Sequence, residues 1–174
     1  LDIGGGTSDI AVLALGDIVC STSLKVAGNR FTQLIIDYLR KERKLSIGEQ
    51  MAEEVKIRIG SALPMDEPLT MEVSGLAMES GLPSSIEVNS NEVELALRAS
   101  VDEIVRAVRT VMEITPPELA ADIVQRGLMM TGGGALLKNF DARLRNELQV
   151  PVHVAENALH CVVDGCNIML QQLH

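Results

Sequence analysis

The stretch Leu1 to Ile10, LDIGGGTSDI, limits what this chain can fold into more than any other. It sets an aspartate, three consecutive glycines and two hydroxyls between apolar runs. Residues without a Cβ allow positive φ and let backbone N–H groups turn inward at close range, which suits a polyanion. Asp2, at the end of a strand, is placed to hold a hydrated divalent cation, and the hydroxyls of Thr7 and Ser8 to reach phosphate oxygens. A glycine-rich hairpin turn with Asp2 as turn former explains the same residues without a ligand. Neither the P-loop nor the dinucleotide fingerprint fits, because the loop has no Lys-Ser/Thr and does not lead into a helix.

Beyond the glycines, Ile10, Val12 and Ala14 alternate with Ala11 and Leu13, as in a strand buried on both faces. Gly16-Asp17 reads as a two-residue turn, and Ile18 to Val26 returns as the second arm of a hairpin. Phe31, Leu34, Ile35, Tyr38 and Leu39 follow helical spacing. Ser46-Ile47-Gly48-Glu49 fits a capping box at the start of a second helix that runs to about Ile59. In that helix Glu53 and Lys56 are neighbours on one face, and their spacing alone reads as a solvated surface ion pair. Leu69 to Val73 and Ser85 to Val88 form a small two-stranded piece. From a cap at Asn89 or Ser90, an apolar stripe from Val93 to Met112 predicts a helix roughly 35 Å long, enough to cross between two subdomains.

Another helix starts with Pro117 in its first turn and stops at Gly127. Leu128 to Met130 is a short strand, and Thr131-Gly132-Gly133-Gly134 is a second glycine loop. Ala135, Leu136, Leu137, Phe140, Leu144 and Leu148 form the buried side of a helix that this loop opens. The N-terminus of such a helix carries partial positive charge that suits phosphate, although close strand-to-helix packing demands the same glycines. Pro151 to Ala155 is a last strand. Leu159 to Leu173 is a last helix, with Val162, Val163, Cys166, Met169, Leu170 and Leu173 mostly buried. The order predicts an α/β fold with a mixed sheet, in which the two glycine loops face one ligand from two sides.

Composition removes several classes of function. A net charge of −9 opposes sequence-independent attraction to DNA or anionic lipid, and 2% aromatics leave little for stacking on bases, so no nucleic-acid partner is expected. Any nucleotide held here needs local donors and a metal. Cys20, Cys161 and Cys166 do not make a disulfide framework, which points to a reduced, cytoplasmic setting, and the last two read as buried packing residues. His153, His160 and His174 lack metal-ligand spacing, and no uninterrupted apolar run reaches the length of a membrane span.

The segments DIGGGTSDI, VAGNRF, AEEVKIRIG, TPPELAADI and TGGGALLKN, in that order and at these spacings, resemble the second half of an MreB-type bacterial actin from Asp2 to about Val154. The resemblance implies an α/β, actin-like (ribonuclease H-like) lobe with a mixed five-stranded sheet and a small inserted α+β subdomain. Residues 1–45 and 99–174 would form the large subdomain and residues 46–98 the small one. ATP and Mg2+ are the implied cofactors. Asp2 would lie at the metal and, with Thr7, at the catalytic centre, with Gly4, Gly5, Gly6 and Thr7 around the β- and γ-phosphates. Glu53, Glu54, Val55 and Lys56 would flank the nucleoside, and Gly132, Gly133, Gly134, Ala135 and Leu136 would close over it.

The same resemblance implies an ATPase that polymerises with itself at the inner membrane, in the cytoplasm, alongside membrane-associated cell-shape and wall-synthesis proteins. A substrate-directed kinase or chaperone ATPase of the same superfamily is the alternative. A first phosphate hairpin, a water-positioning glutamate and the membrane-binding elements are expected upstream of Leu1, so that this piece alone binds ATP weakly and does not hydrolyse it. Glu156-Asn157-Ala158 and Gly165-Cys166-Asn167 depart from the family's pattern and alter the entry and packing of the last helix.

Overall fold

A computed structural model describes residues 1–173; His174 lies outside them. The glycines of the opening stretch end strand β1 (Asp2–Ile3), which pairs antiparallel with β2 (Ser8–Ala14), and β2 pairs antiparallel with β3 (Asp17–Leu24). The hairpin turns at Leu15-Gly16, one residue earlier than the expected Gly16-Asp17. Both residues take positive φ, 54° and 86°, the turn whose twist matches that of paired strands. Ile10 is buried while Ala11 and Leu13 are exposed, so β2 is covered on one face, not two. The periodicity counted apolar residues correctly but could not say which face a helix would cover.

Strands β7 (Leu128–Met130) and β8 (Val152–Val154) pair parallel and meet β1 at a single parallel bridge, Asp2 to Thr131. There the Ile3 N–H donates to Thr131 O at 2.9 Å and the Thr131 N–H to Leu1 O at 2.8 Å. The strands therefore follow one another as β3-β2-β1-β7-β8, antiparallel on one side and parallel on the other. Both glycine loops leave the carboxyl ends of two adjacent parallel strands, and this is why segments so far apart in sequence face each other.

Helix α1 (Gly28–Glu42) buries Phe31, Ile35 and Leu39. Helix α2 (Glu49–Ile59) starts at Gly48 without a side-chain cap, so the expected capping box is not formed. Its serine is committed elsewhere: strand β4 (Leu45–Ser46) pairs with β5 (Thr70–Ala77), opposite Leu76. With β6 (Pro83–Asn89) this makes a three-stranded antiparallel sheet where a two-stranded piece was expected. A complete capping box is found at helix α3 (Ser90–Glu113). The Asn89 side chain accepts from the N–H groups of Asn91 and Glu92, and the Glu92 carboxylate accepts from the Asn89 N–H. With 24 residues α3 is about 36 Å long. It packs on β6 and α2 as well as on β2, β3, α1 and α5, and so reaches both sheets. Phe31, Leu97, Ile104 and Leu144 are fully buried in this core, each contributing about 1.5–3 kcal/mol of apolar burial.

Helix α4 (Pro117–Arg126) begins on proline and stops at Gly127, whose φ is 79°. The second glycine loop does not run straight into a helix as expected. It forms a short 3-10 turn over Gly133–Leu136, becomes extended at Leu137, and only then enters α5 (Phe140–Leu148). Leu136 is accordingly exposed while Ala135 and Leu137 are buried. Helix α6 (Cys161–Gln172) departs further from expectation, since none of its residues is buried. Val162, Val163, Met169 and Leu170 are all more than half exposed, and Cys166 is exposed. Helical spacing reports that a face is apolar, not that something lies against it. Among the described residues no helix is long and apolar enough to cross a membrane.

Candidate functional site

In the first loop the Gly4 N–H donates to Thr7 O at 3.0 Å. The carbonyls of Gly4 and Gly5 accept from the N–H groups of Gly28 and Asn29, at 3.0 and 2.8 Å, so the loop is pinned to the start of α1. Among the described residues, the N–H groups of Gly5 and Gly6 donate to no acceptor of the protein. None of Gly4, Gly5 and Gly6 has positive φ, so the freedom that the missing Cβ allows is not used there. Their surroundings differ: a Cβ at Gly6 would meet nothing within 4 Å, whereas one at Gly5 would lie 3.3 Å from Asn29 Oδ1. Ser8 is also corrected as a phosphate donor. It is buried, and its hydroxyl donates to Val26 O at 2.5 Å. Thr7 is exposed and its hydroxyl donates to Asp9 Oδ2 at 3.1 Å.

In the second loop the glycines divide by purpose. Gly132 has a φ of 82°, and a Cβ there would overlap the Ile3 carbonyl oxygen and lie 2.6 Å from Asp2 Oδ1. A Cβ at Gly134 would overlap the side chain of Ile3. Close packing on β1 therefore demands both, whether or not a ligand is bound. Gly133, by contrast, is exposed. The Thr131 hydroxyl donates to Asp2 Oδ1 at 3.0 Å, and Oδ2 has no partner among the described residues.

The two loops form opposite walls of a cleft of about 610 Å³. Asp2, Gly4, Gly5, Glu53, Lys56, Gly132, Gly133, Gly134 and Leu136 all line it. Of the other expected site residues, Gly6, Thr7 and Glu54 are exposed outside this lining, and Val55 and Ala135 are buried in the core behind it. A second hollow of about 700 Å³, between β2, α3 and α4, is lined mainly by apolar side chains and includes neither run of glycines.

The sequence-level reading of Glu53 and Lys56 as a solvated pair is replaced by the tertiary structure. The Lys56 side chain is only 15% exposed and that of Glu53 48%. Lys56 Nζ donates to Glu53 Oε2 at 2.8 Å, to Thr32 Oγ1 at 3.0 Å and to Gly28 O at 3.1 Å. The single Thr32 hydroxyl hydrogen is shared between Gly28 O at 3.1 Å and Glu53 Oε2 at 2.8 Å. Partial burial disfavours ionised Glu53, but the hydrogen bonds from Lys56 and Thr32, together with the Lys56 charge, outweigh it and hold the carboxyl below its ordinary value of 4.5.

A carboxyl lowered in the folded state stabilises the fold above its unfolded pKa, and that contribution is lost as the pH falls through the lowered value. The stability difference between the parent and Glu53→Gln should therefore be full at neutral pH and vanish in strong acid, a trend that urea unfolding across pH 2–7 would measure. A difference that grows with acidity would contradict this coupling.

Gly28, Asn29, Thr32, Thr131, Leu159 and Val162 were not singled out as site residues from the sequence. Thr131 had a usable signal, a hydroxyl immediately before the second glycine run, and Gly28-Asn29 lay in the VAGNRF segment. Thr32 had none, since an isolated threonine in a helix has no mark of its partners. At its other end α2 is tied to the segment after the second loop. Lys138 Nζ donates to Ile57 O and the Ala62 N–H to Lys138 O, both at 2.8 Å.

The charged side chains lining the cleft are two carboxylates, Asp2 and Glu53, and one ammonium, Lys56, already matched by three acceptors. A polyphosphate would therefore rely on backbone N–H groups and on a divalent cation. Among the described residues no group of three or more His, Cys, Asp or Glu side chains could hold a metal. A single carboxylate such as Asp2, completed by phosphate oxygens and water, suits Mg2+, which keeps most of its own hydration shell.

A profile of the MreB/Mbl protein family matches residues 1–174. The chain belongs to the MreB/Mbl family. It is 51% identical over 173 residues to the cell shape-determining protein Mbl of Bacillus subtilis (strain 168), covering 99% of this chain and 52% of that protein. It is 45% identical over 173 residues to the cell shape-determining protein MreB of Escherichia coli (strain K12), covering 99% and 50%. The chain thus spans about half the length of the curated relatives it matches. Among solved structures, MreB 5 of Spiroplasma citri bound to AMPPNP superposes with a TM-score of 0.93 at 40% identity, over 99% of this chain and 52% of that one. A MamK double helical filament, at 22% identity and a TM-score of 0.75 over 92% of this chain and 52% of that one, shares the fold. These likenesses bear out the expected actin-like α/β fold of this MreB/Mbl chain.

Proposed function

We propose that this chain is the C-terminal lobe of an actin-like protein that binds ATP with Mg2+ and assembles with itself into filaments that maintain cell shape. The observation that carries the reading is the convergence of both glycine loops, Asp2 and Glu53 on one cleft, in a chain whose solved relative MreB 5 holds AMPPNP. In this reading the open N–H groups of Gly5 and Gly6 receive phosphate oxygens, with Gly4 and Thr7 beside them. Asp2, oriented by Thr131, holds the hydrated cation, which would supply charge neutralisation at the phosphates. The free oxygen of Glu53 accepts from sugar hydroxyls, as carboxylates at nucleotide sites do. Gly132, Gly133, Gly134 and Leu136 form the facing wall, and Glu54, Val55 and Ala135 act through the backbone they share with their neighbours.

The division into a large subdomain, residues 1–45 and 99–174, and a small inserted one, residues 46–98, belongs to the same proposal. So do ATP hydrolysis by the whole protein, a cytoplasmic, membrane-associated location, and contacts with wall-synthesis proteins. The two sheets, with α3 reaching both, support the division. The test is a calorimetric titration of the full-length protein with Mg-ATP, followed by sedimentation with and without the nucleotide. Saturable binding and ATP-dependent pelleting are expected. Binding without any assembly would favour a kinase or chaperone ATPase, and absence of binding would sink the nucleotide reading.

A further inference from the structure

We propose that Ser61, Lys138 and Asn139 form a clasp that fixes how far apart two walls of the cleft stand, so that nucleotide binding and closure of the clasp favour each other. None of the three lines the cleft. The inference rests on the nucleotide reading above and concerns what sets the shape of that site from outside it.

The wall that carries Ile57 runs on into Gly60-Ser61-Ala62, and the wall made by the second glycine loop runs on into Leu137-Lys138-Asn139. These two continuations meet along one line. A Cβ at Gly60 would lie 2.9 Å from Leu137 Cδ1. Ser61 and Lys138 form a parallel bridge, in which the Ala62 N–H donates to Lys138 O at 2.8 Å. The Asn139 amide donates to Ser61 Oγ at 3.0 Å, and Ser61 is fully buried. Lys138 Nζ donates to Ile57 O at 2.8 Å, in the last turn of α2, where a helix has carbonyls without intrahelical partners and favours a cation.

Asn139 shows that this is more than adjacent packing. It precedes α5 at the position where an asparagine side chain normally caps the helix, yet it makes no cap there. Its backbone is left-handed, with a φ of 62°, instead of extended as in such caps. Its amide is directed at the other wall, 78 residues away in sequence. Separating the walls at this end breaks the Ala62, Lys138 and Asn139 hydrogen bonds together. A ligand that needs both walls at their present separation is therefore linked to the clasp, and that linkage is reciprocal. Lys138 and Asn139 are positioning residues in this scheme.

Two measurements on the full-length protein test it. Hydrogen exchange of the Gly60–Leu63 segment, with and without Mg-ADP, reads the clasp, and the release rates of labelled ADP and ATP read the site. Bound Mg-ADP should slow exchange of this segment, which a purely structural contact outside the cleft would not show. Asn139→Gly keeps the left-handed backbone and removes the amide. It should speed both the exchange and the release of ADP and ATP, the latter by one common factor of about threefold to tenfold, as expected for one lost hydrogen bond. Lys138→Met should act in the same direction and carries the test should Asn139→Gly fail to fold.

Exchange that is indifferent to nucleotide, or release rates that match the parent's in both variants, would overturn the proposal. So would a loss in Lys138→Met that grows from ADP to ATP and is absent in Asn139→Gly, because Lys138 would then act on the phosphates through its charge. A parent protein that binds no adenine nucleotide would remove the nucleotide reading and this inference together, and is recognisable before any variant is made.

Discussion

Gly132→Ala is expected to destabilise the protein by about 3 kcal/mol or more, the sum of backbone strain at positive φ and overpacking against rigid neighbours. The residue sits at a φ of 82° with its added Cβ directed into the Ile3 carbonyl and toward Asp2. Relief by local movement is blocked on both sides. The Gly132 N–H donates to Ala158 O at 2.7 Å, and the preceding Thr131 is bridged to Asp2 and Ile3. Urea unfolding should show a lower midpoint with an unchanged slope. Gly6→Ala offers the contrast, since its Cβ would meet nothing, and should leave the unfolding free energy within about 0.5 kcal/mol of the parent's. Equal effects at the two positions would refute the division of the glycines into packing and open types.

Asp2→Asn is expected to abolish most of the gain in nucleotide affinity that Mg2+ provides, about 10–100-fold. The substitution keeps the size of the side chain and leaves an amide oxygen to accept from the Thr131 hydroxyl, so folding should be little changed. Nucleotide titrations in Mg2+ and in EDTA isolate the effect: the parent should differ strongly between the two conditions and the variant hardly at all. A variant that keeps the full Mg2+ dependence would show that the cation is held without Asp2.

Both glycine loops, the strands before them and the carboxylate at the end of the first were visible as local pattern. So was the long helix, because Asn89, Glu92 and an apolar stripe are short-range signals with short-range causes. The S-x-x-E run at Ser46 shows the limit of such signals. It marked a helix start within a few residues, yet β5, some thirty residues away, takes its serine into a sheet. The last helix shows another limit, since its apolar spacing was correctly seen and its burial was not.

The site divides in the same way. That Asp2, the two glycine runs, Glu53 and Lys56 were worth attention came from the sequence, for Glu53 and Lys56 through family resemblance and not through their spacing. The tertiary structure alone decided what each does locally. It buried Lys56 against Thr32 and Gly28, turned the Ser8 hydroxyl inward, set Thr131 on Asp2 from 129 residues away, and made Gly132 and Gly134 packing residues while leaving Gly6 open. The physical reason is range. Helical spacing, caps and turns are settled between residues a few positions apart. Which hydrogen-bond partner a side chain finds, and which glycine has another chain segment against it, depends on segments that only the folded sheet brings together.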